Sequence, residues 1–594
     1  KGPGGDSDGR YVVVGTSSFA AQVERALITK GVKTRRVGSL PDSPEQIASL
    51  LTGGYSSSTE PASLTLVDLR SLDYAMSMND ADAGVASGLA TMRLYQAAAA
   101  LRNTSDARVW TITQGSQPAA AGVTNPGGAT SWGVARVAGQ FELPSSHGGL
   151  IDIDIASEAA SVAIATEVTG AGSEDQVALH NGRRFVPRLT HVEMSDRQLP
   201  SLRRDAAYLI TGGLGALGLE TAQWLVEHGA RHLVLVGRSG LPERSTWAHL
   251  DDHRVHAVLS LEKAGARVEV HSCDVGDQNA LARLREQRTA ECRPPIRGVI
   301  HAAGTSIPKL IEEMTEKDFR DITYAKVQGS WALDRTFPRG LDFFVLYSSV
   351  ASLIVSPGQT NYAAGNAYLD SLAYARRQRG EHGLSINWGP WGEVGMATQL
   401  DLVSFFDSRG LYTNSTVQGT TALGQALASD RTQVAPIAPD WNRTITTYPG
   451  GEAPAMLERM RDQQTSASEN LRISFQDRVR DVSQAERIEL LAQEVKEVVS
   501  GVLRYPASDL RDDIPLISLG LDSMLAIELK SQIEHTFNVN ISIVSLLKGT
   551  ALGALAVEIG EQFRTNACAD DDVQALLAET ESMDLAEIVG VSHV

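Results

Sequence analysis

The sequence has 594 residues, of which 42% are hydrophobic and 21% are charged, and its formal net charge is -18. This length requires several domains rather than one core. The acidic balance argues against nucleic acid as a partner, and no apolar run approaches the ~20 residues of a bilayer-spanning helix. Three cysteines far apart in sequence, Cys273, Cys292 and Cys568, lack metal-ligand spacing, so we expect reduced thiols and no metal site.

The sequence begins at Lys1 rather than at methionine, and no apolar signal segment follows. We therefore expect a piece of a longer polypeptide with a cytoplasmic location.

Residues 1–200 predict an α/β unit. Short apolar strands at Tyr11–Val14, Leu64–Leu69 and Val109–Thr113 are separated by helical segments. The turn after the first strand, GTSSFA, lacks a glycine-rich phosphate pattern. We interpret this unit as a degenerate Rossmann-like fold with a structural role.

Residues 204–445 repeat the plan with a phosphate turn present. Strands alternating with helices predict a parallel, doubly wound sheet. The strands are predicted at Ala207–Thr211, Arg231–Val236, Val268–Cys273, Gly298–Ala302 and Phe343–Tyr347. Directly after the first strand, Gly213-x-Gly215-x-x-Gly218 opens a helix. Glycines there allow a pyrophosphate to approach the helix N-terminus, so we predict a dinucleotide site at Thr211, Gly213, Leu214, Gly215, Leu217 and Gly218.

Residues after the next strands refine the cofactor. Arg238 and Ser239 follow the second strand, where an NAD site commonly has an acid. An arginine can pair with a 2′-phosphate, which favours NADPH over NADH. Asp274 and Val275 follow the third strand and are candidates for contact with the adenine.

Four side chains have the chemistry of carbonyl reduction. Tyr362 and Asn366 are four residues apart in a helical segment and share a face. Tyr362 is the candidate proton donor, and an ammonium from Lys326 would lower its pKa. Ser349 is expected to hold the carbonyl oxygen, with Ser348 as the alternative hydroxyl, and Asn366 to order a water.

The C-terminal part predicts a linker, a helical domain and a tail. Residues 446–483 are polar and are predicted to be a linker, and 484–565 show helical periodicity typical of a four-helix bundle. Residues 566–594 form an acidic tail, predicted to be a docking helix or a disordered end. Within the bundle, Ser523 follows Gly520-Leu521-Asp522 at the start of a predicted helix.

Residues 1–445 resemble the ketoreductase of type I polyketide synthases, a two-part short-chain dehydrogenase/reductase. The resemblance is carried by WGVARV (Trp132–Val137), TGGLGALG, HAAG, YSSVAS, NYAAGNAYLD and NWGPWGEVGM. It implies catalytic roles for Lys326, Ser349, Tyr362 and Asn366, since lysine and asparagine exchange positions in this family relative to ordinary short-chain reductases. It also extends the cofactor set to His301, Ala302, Ala303 and Gly304.

Residues around Ser523 resemble acyl carrier proteins through GLDSMLAIELKSQIE. The resemblance implies that Ser523 receives a 4′-phosphopantetheine arm from a phosphopantetheinyl transferase. Helix capping by Asp522 or Ser523 alone is the competing interpretation. Acidic residues around the bundle would suit docking on basic partner surfaces: Asp509, Asp512, Asp513, Asp522 and Glu528.

Together these resemblances imply NADPH-dependent reduction of a carrier-tethered β-ketoacyl thioester to a β-hydroxyacyl thioester. Ketosynthase, acyltransferase and dehydratase domains of a parent synthase are the expected partners. The alternatives are the same chemistry in a fatty acid synthase, a non-catalytic scaffold with a working carrier, and a free-standing reductase, which predicts Tyr-x-x-x-Lys and no carrier. Some spans resemble iterative synthases of the methylsalicylic-acid type. The hydroxyl configuration stays open, because Thr305 to Pro308 replace the LDD triplet and Ile354 stands at the marker tryptophan position.

Overall fold

The computed structural model describes most of the chain up to residue 448 and parts of the remainder. The described residues are 10–52, 63–102, 106–170, 172–194, 202–399, 402–448, 453–460, 484–503, 510–519, 521, 523–537, 539, 541, 545–546, 548–560 and 562. The chain divides into two compact units, one of Lys1–Thr447 with Ala453–Asp462 and the other of Tyr448–Glu452 with Gln463–Val594. Within the described residues, no helix combines the length and apolar character needed to cross a membrane.

The N-terminal half of the first unit is built on a seven-stranded sheet in the order β2-β1-β3-β4-β5-β6-β7, with only β7 antiparallel to its neighbour. The strands are β1 Arg10–Val14, β2 Lys33–Val37, β3 Leu64–Asp68, β4 Ala107–Gln114, β5 His147–Ile153, β6 Gln176–His180 and β7 Arg183–Phe185. The helices are α1 Ser18–Thr29, α2 Pro44–Thr52, α3 Arg70–Ser77, α4 Asp80–Leu101, α5 Ala129–Val137 and α6 Glu158–Thr169. The predicted α/β unit is therefore confirmed.

The C-terminal half of the first unit has a second, all-parallel sheet in the order β10-β9-β8-β11-β12-β13-β15. Its strands are β8 Ala207–Thr211, β9 His232–Gly237, β10 Arg267–Ser272, β11 Ile296–His301, β12 Phe343–Ser349, β13 Leu384–Trp388 and β15 Gln433–Val434, and a separate short pair is formed by β14 Leu411–Tyr412 and β16 Ala438–Pro439. The helices are α7 Ala216–Glu227, α8 His253–Lys263, α9 Gln278–Ala290, α10 Glu316–Tyr324, α11 Ser330–Thr336, α12 Thr360–Gln378, α13 Met396–Gln399, α14 Val403–Ser408, α15 Thr416–Ala428 and α16 Trp441–Thr446. This order is that of a dinucleotide-binding Rossmann fold.

The two halves share one apolar core. Trp132 of α5 and Tyr368 of α12 belong to the same buried cluster. The helices approach closely at Gly133, where a Cβ would lie 2.5 Å from the carbonyl oxygen of Ala363. The N-terminal half thus packs directly behind the helix that carries Tyr362.

The segment after α16 is partly packed on the first unit. Residues Ala455–Met460 form a 3₁₀ turn with Met456 and Leu457 buried. The carbonyl oxygen of Met456 accepts a hydrogen bond from the backbone N–H of Leu189 at 2.8 Å. Residues 455–460 of the predicted linker are therefore packed, whereas 449–452 and 461–483 lie outside the described residues.

The second unit contains helices Gln484–Leu503 and Ser523–Phe537 and a further helical stretch at 552–560. Their apolar side chains form one core that includes Val495, Leu529 and Leu555. The segment predicted as another helix, Ile543–Leu547, is described only at 545–546, so the four-helix detail is not confirmed. The predicted tail from residue 566 lies outside the described residues.

Candidate active site

The turn between β8 and α7 is built around glycine. Gly212 has a φ of +65°, a conformation that residues with a Cβ rarely adopt. A Cβ on Gly218 would lie 2.2 Å from the carbonyl oxygen of Gly212, so the helix can follow the strand this closely only with glycine there. The turn lies between β8 and β11, where the strand order reverses, and nucleotides bind at that point of doubly wound sheets.

The amino end of α7 suits an anion. Gly215 precedes the helix and contributes no side-chain cap. The first backbone N–H groups of a helix need an acceptor and favour negative charge. Leu214 and Leu217 pack against the core of this half and fix the turn from below. The turn that holds Gly213, Gly215 and Gly218 therefore fits a dinucleotide pyrophosphate.

The residues after β9 and β10 lie at the same edge of the sheet, because these strands pair in parallel. Arg238 and Ser239 are exposed there. Asp274 accepts the backbone N–H of Gly276 at Oδ1, at 2.9 Å, and Val275 is buried beside it. This edge therefore presents a guanidinium and a carboxylate next to the glycine turn.

Two side chains of the predicted cofactor set point into the protein instead. His301 is fully buried, its Nε2 donates to the carbonyl oxygen of Ala325 at 3.0 Å, and its Nδ1 lies 2.7 Å from the Thr211 hydroxyl. Burial, helped by the charge of Lys326, lowers the pKa of His301 to about 3, so the neutral ring accepts the Thr211 hydrogen. The polar side-chain atoms of both residues therefore hold β8, β11 and the Lys326 turn together, and the predicted cofactor contact remains a prediction for their backbone atoms. The adjacent Ala302, Ala303 and Gly304 are partly or fully exposed.

Lys326 lies in a π-helical turn, Ala325–Gly329, between α10 and α11. Such turns are rare and are often found at functional sites. Its Nζ donates to the carbonyl oxygen of Tyr347 at 3.0 Å and lies 5.4 Å from the centroid of the Tyr362 ring. Gly304 and Gly365 make room for it, because a Cβ on either would lie 3.1–3.2 Å from the lysine side chain.

Tyr362 and Asn366 lie on one face of α12, as their spacing predicts, and both are buried. The Tyr362 ring packs with Ile322 and Ala351. Ser349 ends β12 and accepts the backbone N–H of Ala351 at 3.2 Å, which leaves its hydroxyl hydrogen for the Tyr362 phenol. The structure thus brings together all four predicted side chains.

The pKa values differ from the expected pattern. Burial raises the pKa of Tyr362, and hydrogen bonds from Ser349 and Asn366 counteract this rise. Lys326 is not among the groups that lower it. Burial also lowers the pKa of Lys326 itself to about 8, against the opposing charge of Asp370. The expected acidification of Tyr362 by Lys326 is therefore not observed, because burial disfavours charge on both groups.

A further polar cluster was not predicted from the sequence. Asp370, on α12, lies within hydrogen-bond distance of Ser352, Ser385 and Asn387. Both Asp370 and Asn387 occur in motifs that carry the family resemblance, NAYLD and NWGPWG. Both are polar residues in otherwise apolar segments, and this pattern could have predicted the cluster from the sequence.

In the second unit, helix Ser523–Phe537 begins at the predicted attachment residue. The residue two positions earlier, Leu521, is buried in the core of this unit, and its N–H donates to the carbonyl oxygen of Leu516 at 3.2 Å. Ser523 is therefore placed at the first turn of a helix. Asp512 and Asp513 are exposed, whereas Asp509, Gly520, Asp522 and the Glu528 side chain lie outside the described part.

Three family models match this chain. The model described as "KR domain" matches residues 206–393, and "Polyketide synthase extender module SpnB, Rossmann fold domain" matches 16–189. "Phosphopantetheine attachment site" matches residues 493–557, which include Ser523.

Curated relatives are large synthases. A 6-methylsalicylic acid synthase from Arthrobotrys oligospora is 33% identical over 444 residues, which are 74% of this chain and 25% of the relative. The 5-methyl-1-naphthoate synthase of Streptomyces sahachiroi is 34% identical over 463 residues, 76% of this chain and 25% of the relative. The chain thus spans about a quarter of the length of these relatives.

The matches to solved ketoreductases cover almost the whole length of those proteins. The first ketoreductase of the tylosin polyketide synthase is 30% identical, with a TM-score of 0.64, and the match covers 76% of this chain and 95% of that one. A structure of A-type ketoreductases from a modular polyketide synthase is 28% identical, with a TM-score of 0.66, covering 77% and 95%. Together with the glycine turn and the cluster around Tyr362, these matches show that the chain belongs to the type I polyketide synthases and comprises a ketoreductase followed by a phosphopantetheine carrier domain.

Proposed function

We propose that this chain reduces a β-ketoacyl thioester, carried on a 4′-phosphopantetheine arm at Ser523, to the β-hydroxyacyl thioester with NADPH. One observation carries the proposal: the buried side chains of Lys326, Tyr362 and Asn366 converge with the half-buried Ser349. The glycine turn at the end of β8 belongs to the same half of the first unit.

Each of the four side chains has a defined task in this proposal. Ser349 donates a hydrogen bond to the ketone oxygen and fixes its position. Tyr362 transfers its phenolic proton to that oxygen while the ketone carbon gains a hydride, so one O–H bond breaks as another forms. Asn366 stabilises the resulting phenolate, and the Lys326 ammonium supports its reprotonation.

The residues around the glycine turn would hold the cofactor. The N-terminus of α7 would receive the pyrophosphate, Arg238 the 2′-phosphate, and Asp274 with Val275 would border the adenine. Bound NADPH supplies the hydride. The exposed guanidinium of Arg238 supports the preference for a phosphorylated cofactor.

The carrier domain gives the reaction its substrate in tethered form. A tether turns delivery into an intramolecular encounter at raised effective concentration. We propose a phosphopantetheinyl transferase as the enzyme that modifies Ser523. Ketosynthase, acyltransferase and dehydratase domains of a parent synthase would supply and consume the tethered acyl group.

Substitution of the proton donor tests the reduction. The phosphopantetheinylated chain is loaded with a β-ketoacyl group, incubated with NADPH and analysed by mass spectrometry and chiral chromatography of the released product. Tyr362→Phe should lower the rate by about 10²-fold or more, because general acid catalysis is lost, while NADPH binding is retained. Tyr368→Phe is the matched control on the same helix, since within the described residues the Tyr368 hydroxyl has no hydrogen-bond partner.

The same mass measurement tests the tether. Ser523→Ala should prevent the mass gain on treatment with transferase and coenzyme A, whereas Ser518→Ala, at an exposed serine nearby, should not. Wild-type turnover in Tyr362→Phe would refute the acid role. A mass gain that persists in Ser523→Ala would move the attachment to another residue.

A further inference from the structure

The middle of α12 carries a carboxylate close to the cluster around Tyr362. Asp370 lies eight residues, about two turns, after Tyr362 and is buried. Its Oδ2 accepts the hydroxyl of Ser352 at 2.7 Å, and its Oδ1 accepts the hydroxyl of Ser385 at 2.6 Å. One carboxylate thus joins α12 to the turn after β12 and to β13.

Asn387 completes these contacts. Gln433 donates to its Oδ1 at 3.0 Å, which turns its Nδ2 toward Asp370 Oδ2 at 2.9 Å. The same Nδ2 lies 3.2 Å from the carbonyl oxygen of Ser349. The backbone of the proposed oxygen-holding serine is therefore tied to the Asp370 carboxylate through one side chain.

A cation from the N-terminal half holds the same turn from the other side. Arg136, in the WGVARV motif, donates to the carbonyl oxygen of Ser352 at 2.8 Å. Its Nε donates to Gln176 at 2.9 Å, so its guanidinium is fixed in place. Residues 349–352 are thereby held between the two halves by Asp370 and Arg136.

Asp370 also acts on Lys326 through its charge. Burial disfavours the ammonium, and the Asp370 carboxylate is the group that favours it, which leaves a pKa of about 8. No carboxylate within the described residues contacts Lys326 directly, since its Nζ donates to the Tyr347 carbonyl oxygen. The carboxylate therefore affects both the geometry of Ser349 and the protonation of Lys326.

We propose that Asp370 is a positioning residue of the reduction, which orients Ser349 through its contacts with Ser352 and Asn387. The charge of Asp370 in this position also favours the protonated form of Lys326. This inference rests on the proposed function of Ser349 and Lys326. Asp370 itself would touch neither substrate nor cofactor.

The test is Asp370→Asn in the full, phosphopantetheinylated chain. Asparagine keeps the shape, but it removes the charge and replaces an acceptor oxygen by a donor. We expect kcat to fall by about 10- to 100-fold, as for a misplaced reacting group, with unchanged KM and NADPH affinity. When kcat is plotted against pH, the fall of kcat at high pH (the alkaline limb) should move to lower pH. The neutral amide no longer raises the pKa of Lys326, so the lysine loses its proton at a lower pH.

A measurement without turnover separates this inference from the proposed function. The ¹³Cε resonance of Lys326, assigned with Lys326→Arg, is titrated in wild type and in Asp370→Asn. A lower pKa of Lys326 in the variant supports the proposal even if the wild type reduces no β-ketoacyl thioester. The proposal is overturned if Lys326 has the same pKa in folded Asp370→Asn as in the wild type. It is also overturned if the variant has the wild-type kcat and an unchanged alkaline limb.

Asp152→Asn controls for a merely structural effect. Asp152 is an equally buried carboxylate of the N-terminal sheet, which accepts from Thr113 at 2.6 Å and contacts His180 Nε2 at 2.9 Å. This variant should lose stability without moving the alkaline limb. Where Asp370→Asn does not fold, Ser385→Ala removes one of the hydrogen bonds and keeps the charge. A lower kcat with an unmoved limb then supports the proposal, and wild-type kcat overturns it.

Discussion

The surroundings of Tyr362 act on the pKa of its phenol in two opposite directions. Burial raises the pKa of the phenol, so the neutral form, which is the donor, predominates near neutral pH. Hydrogen bonds from Ser349 and Asn366 lower the pKa of the phenol, so in the proposed reduction they would favour the phenolate that proton transfer leaves behind. In the proposed reduction, the same surroundings would therefore keep the phenol protonated at rest and favour its proton transfer to the developing alkoxide.

Lys326 shows why the protonation state of a side chain cannot be predicted from residue identity alone. A lysine next to a tyrosine suggests an ammonium that acidifies the phenol, but both groups are buried here. Desolvation brings the pKa of Lys326 to about 8, so its charge depends on Asp370. The burial of Lys326 and its proximity to a carboxylate 44 positions away in sequence arise from the tertiary structure, so a local sequence motif does not predict them.

Arg238 should set the choice of cofactor. Arg238→Ala removes the guanidinium expected to bind the 2′-phosphate, and charged hydrogen bonds contribute about 1.5–3 kcal/mol. We expect the preference for NADPH over NADH, measured as the ratio of kcat/KM values, to fall by roughly 10- to 100-fold. The loss should appear in the KM for NADPH.

Arg244→Ala is the control for general loss of positive charge. Arg244 is also an exposed arginine after β9, but it already pairs with Glu262 and stacks on Trp247. Its removal should leave the cofactor preference unchanged. An unaltered ratio in Arg238→Ala would mean that the 2′-phosphate binds elsewhere.

At the scale of elements, α12 carries residues of the candidate active site and packs against the N-terminal half of the first unit. Its first turns carry Tyr362 and Asn366, its middle carries Asp370, and its face toward α5 admits the backbone of Gly133. The WGVARV motif therefore serves two packing tasks, since Gly133 permits the close approach and Arg136 holds the turn at Ser352.

Gly133→Ala tests this approach. Alanine in a helix normally stabilises relative to glycine by about 1 kcal/mol. Here the new Cβ would meet backbone atoms of Ala363 and Ala364 at 2.5–2.6 Å, which cannot rotate away. We expect a loss of about 1–3 kcal/mol in the free energy of unfolding and a lower kcat, because α12 must move.

Gly84→Ala is the matched helical control. A Cβ at Gly84 would meet its neighbours only at 3.4 Å, an ordinary contact. That variant should be as stable as the wild type or more stable. Equal stabilities for the two variants would contradict the close approach of α5 and α12.

Much of the fold follows from the sequence, because buried parallel strands are apolar runs. Ala207–Thr211 matches β8 at both ends. In contrast, β2 lies at an edge of the sheet and has the sequence KTRRV. Its charged residues lack the apolar pattern by which a strand is predicted from the sequence. The π-helical turn at Lys326 has no local signature. The inward direction of the His301 side chain could not be predicted, because a strand end fixes a position but not where a side chain points.

At the scale of the whole molecule, Glu142 links the two halves of the first unit. It follows α5 in the N-terminal half and accepts the backbone N–H groups of Ile311 at 2.6 Å and Gly358 at 2.8 Å. Gly358 lies in the segment just before α12. Burial, with a contribution from the charge of Glu312, raises the pKa of Glu142 to about 7, against the effect of these hydrogen bonds.

This carboxyl should make stability depend on pH. Its folded pKa of about 7 exceeds the ordinary glutamate value of 4.5, so the folded state binds the proton more tightly than the unfolded state. The stabilisation is therefore complete below about pH 4.5 and is lost as the pH rises through about 7. Between these limits it amounts to on the order of 3 kcal/mol.

Glu142→Gln isolates this contribution, because the amide does not titrate. Denaturant unfolding from pH 4.5 to 8 should show wild type losing stability relative to the variant by about 3 kcal/mol as pH rises. Tryptophan fluorescence reports the first unit selectively, because all eight tryptophans lie between Trp110 and Trp441. Glu158→Gln, at an exposed glutamate opening α6, should follow the wild-type slope. A Glu142→Gln curve parallel to wild type would show that the bridge between the halves does not bind its proton more tightly in the folded state.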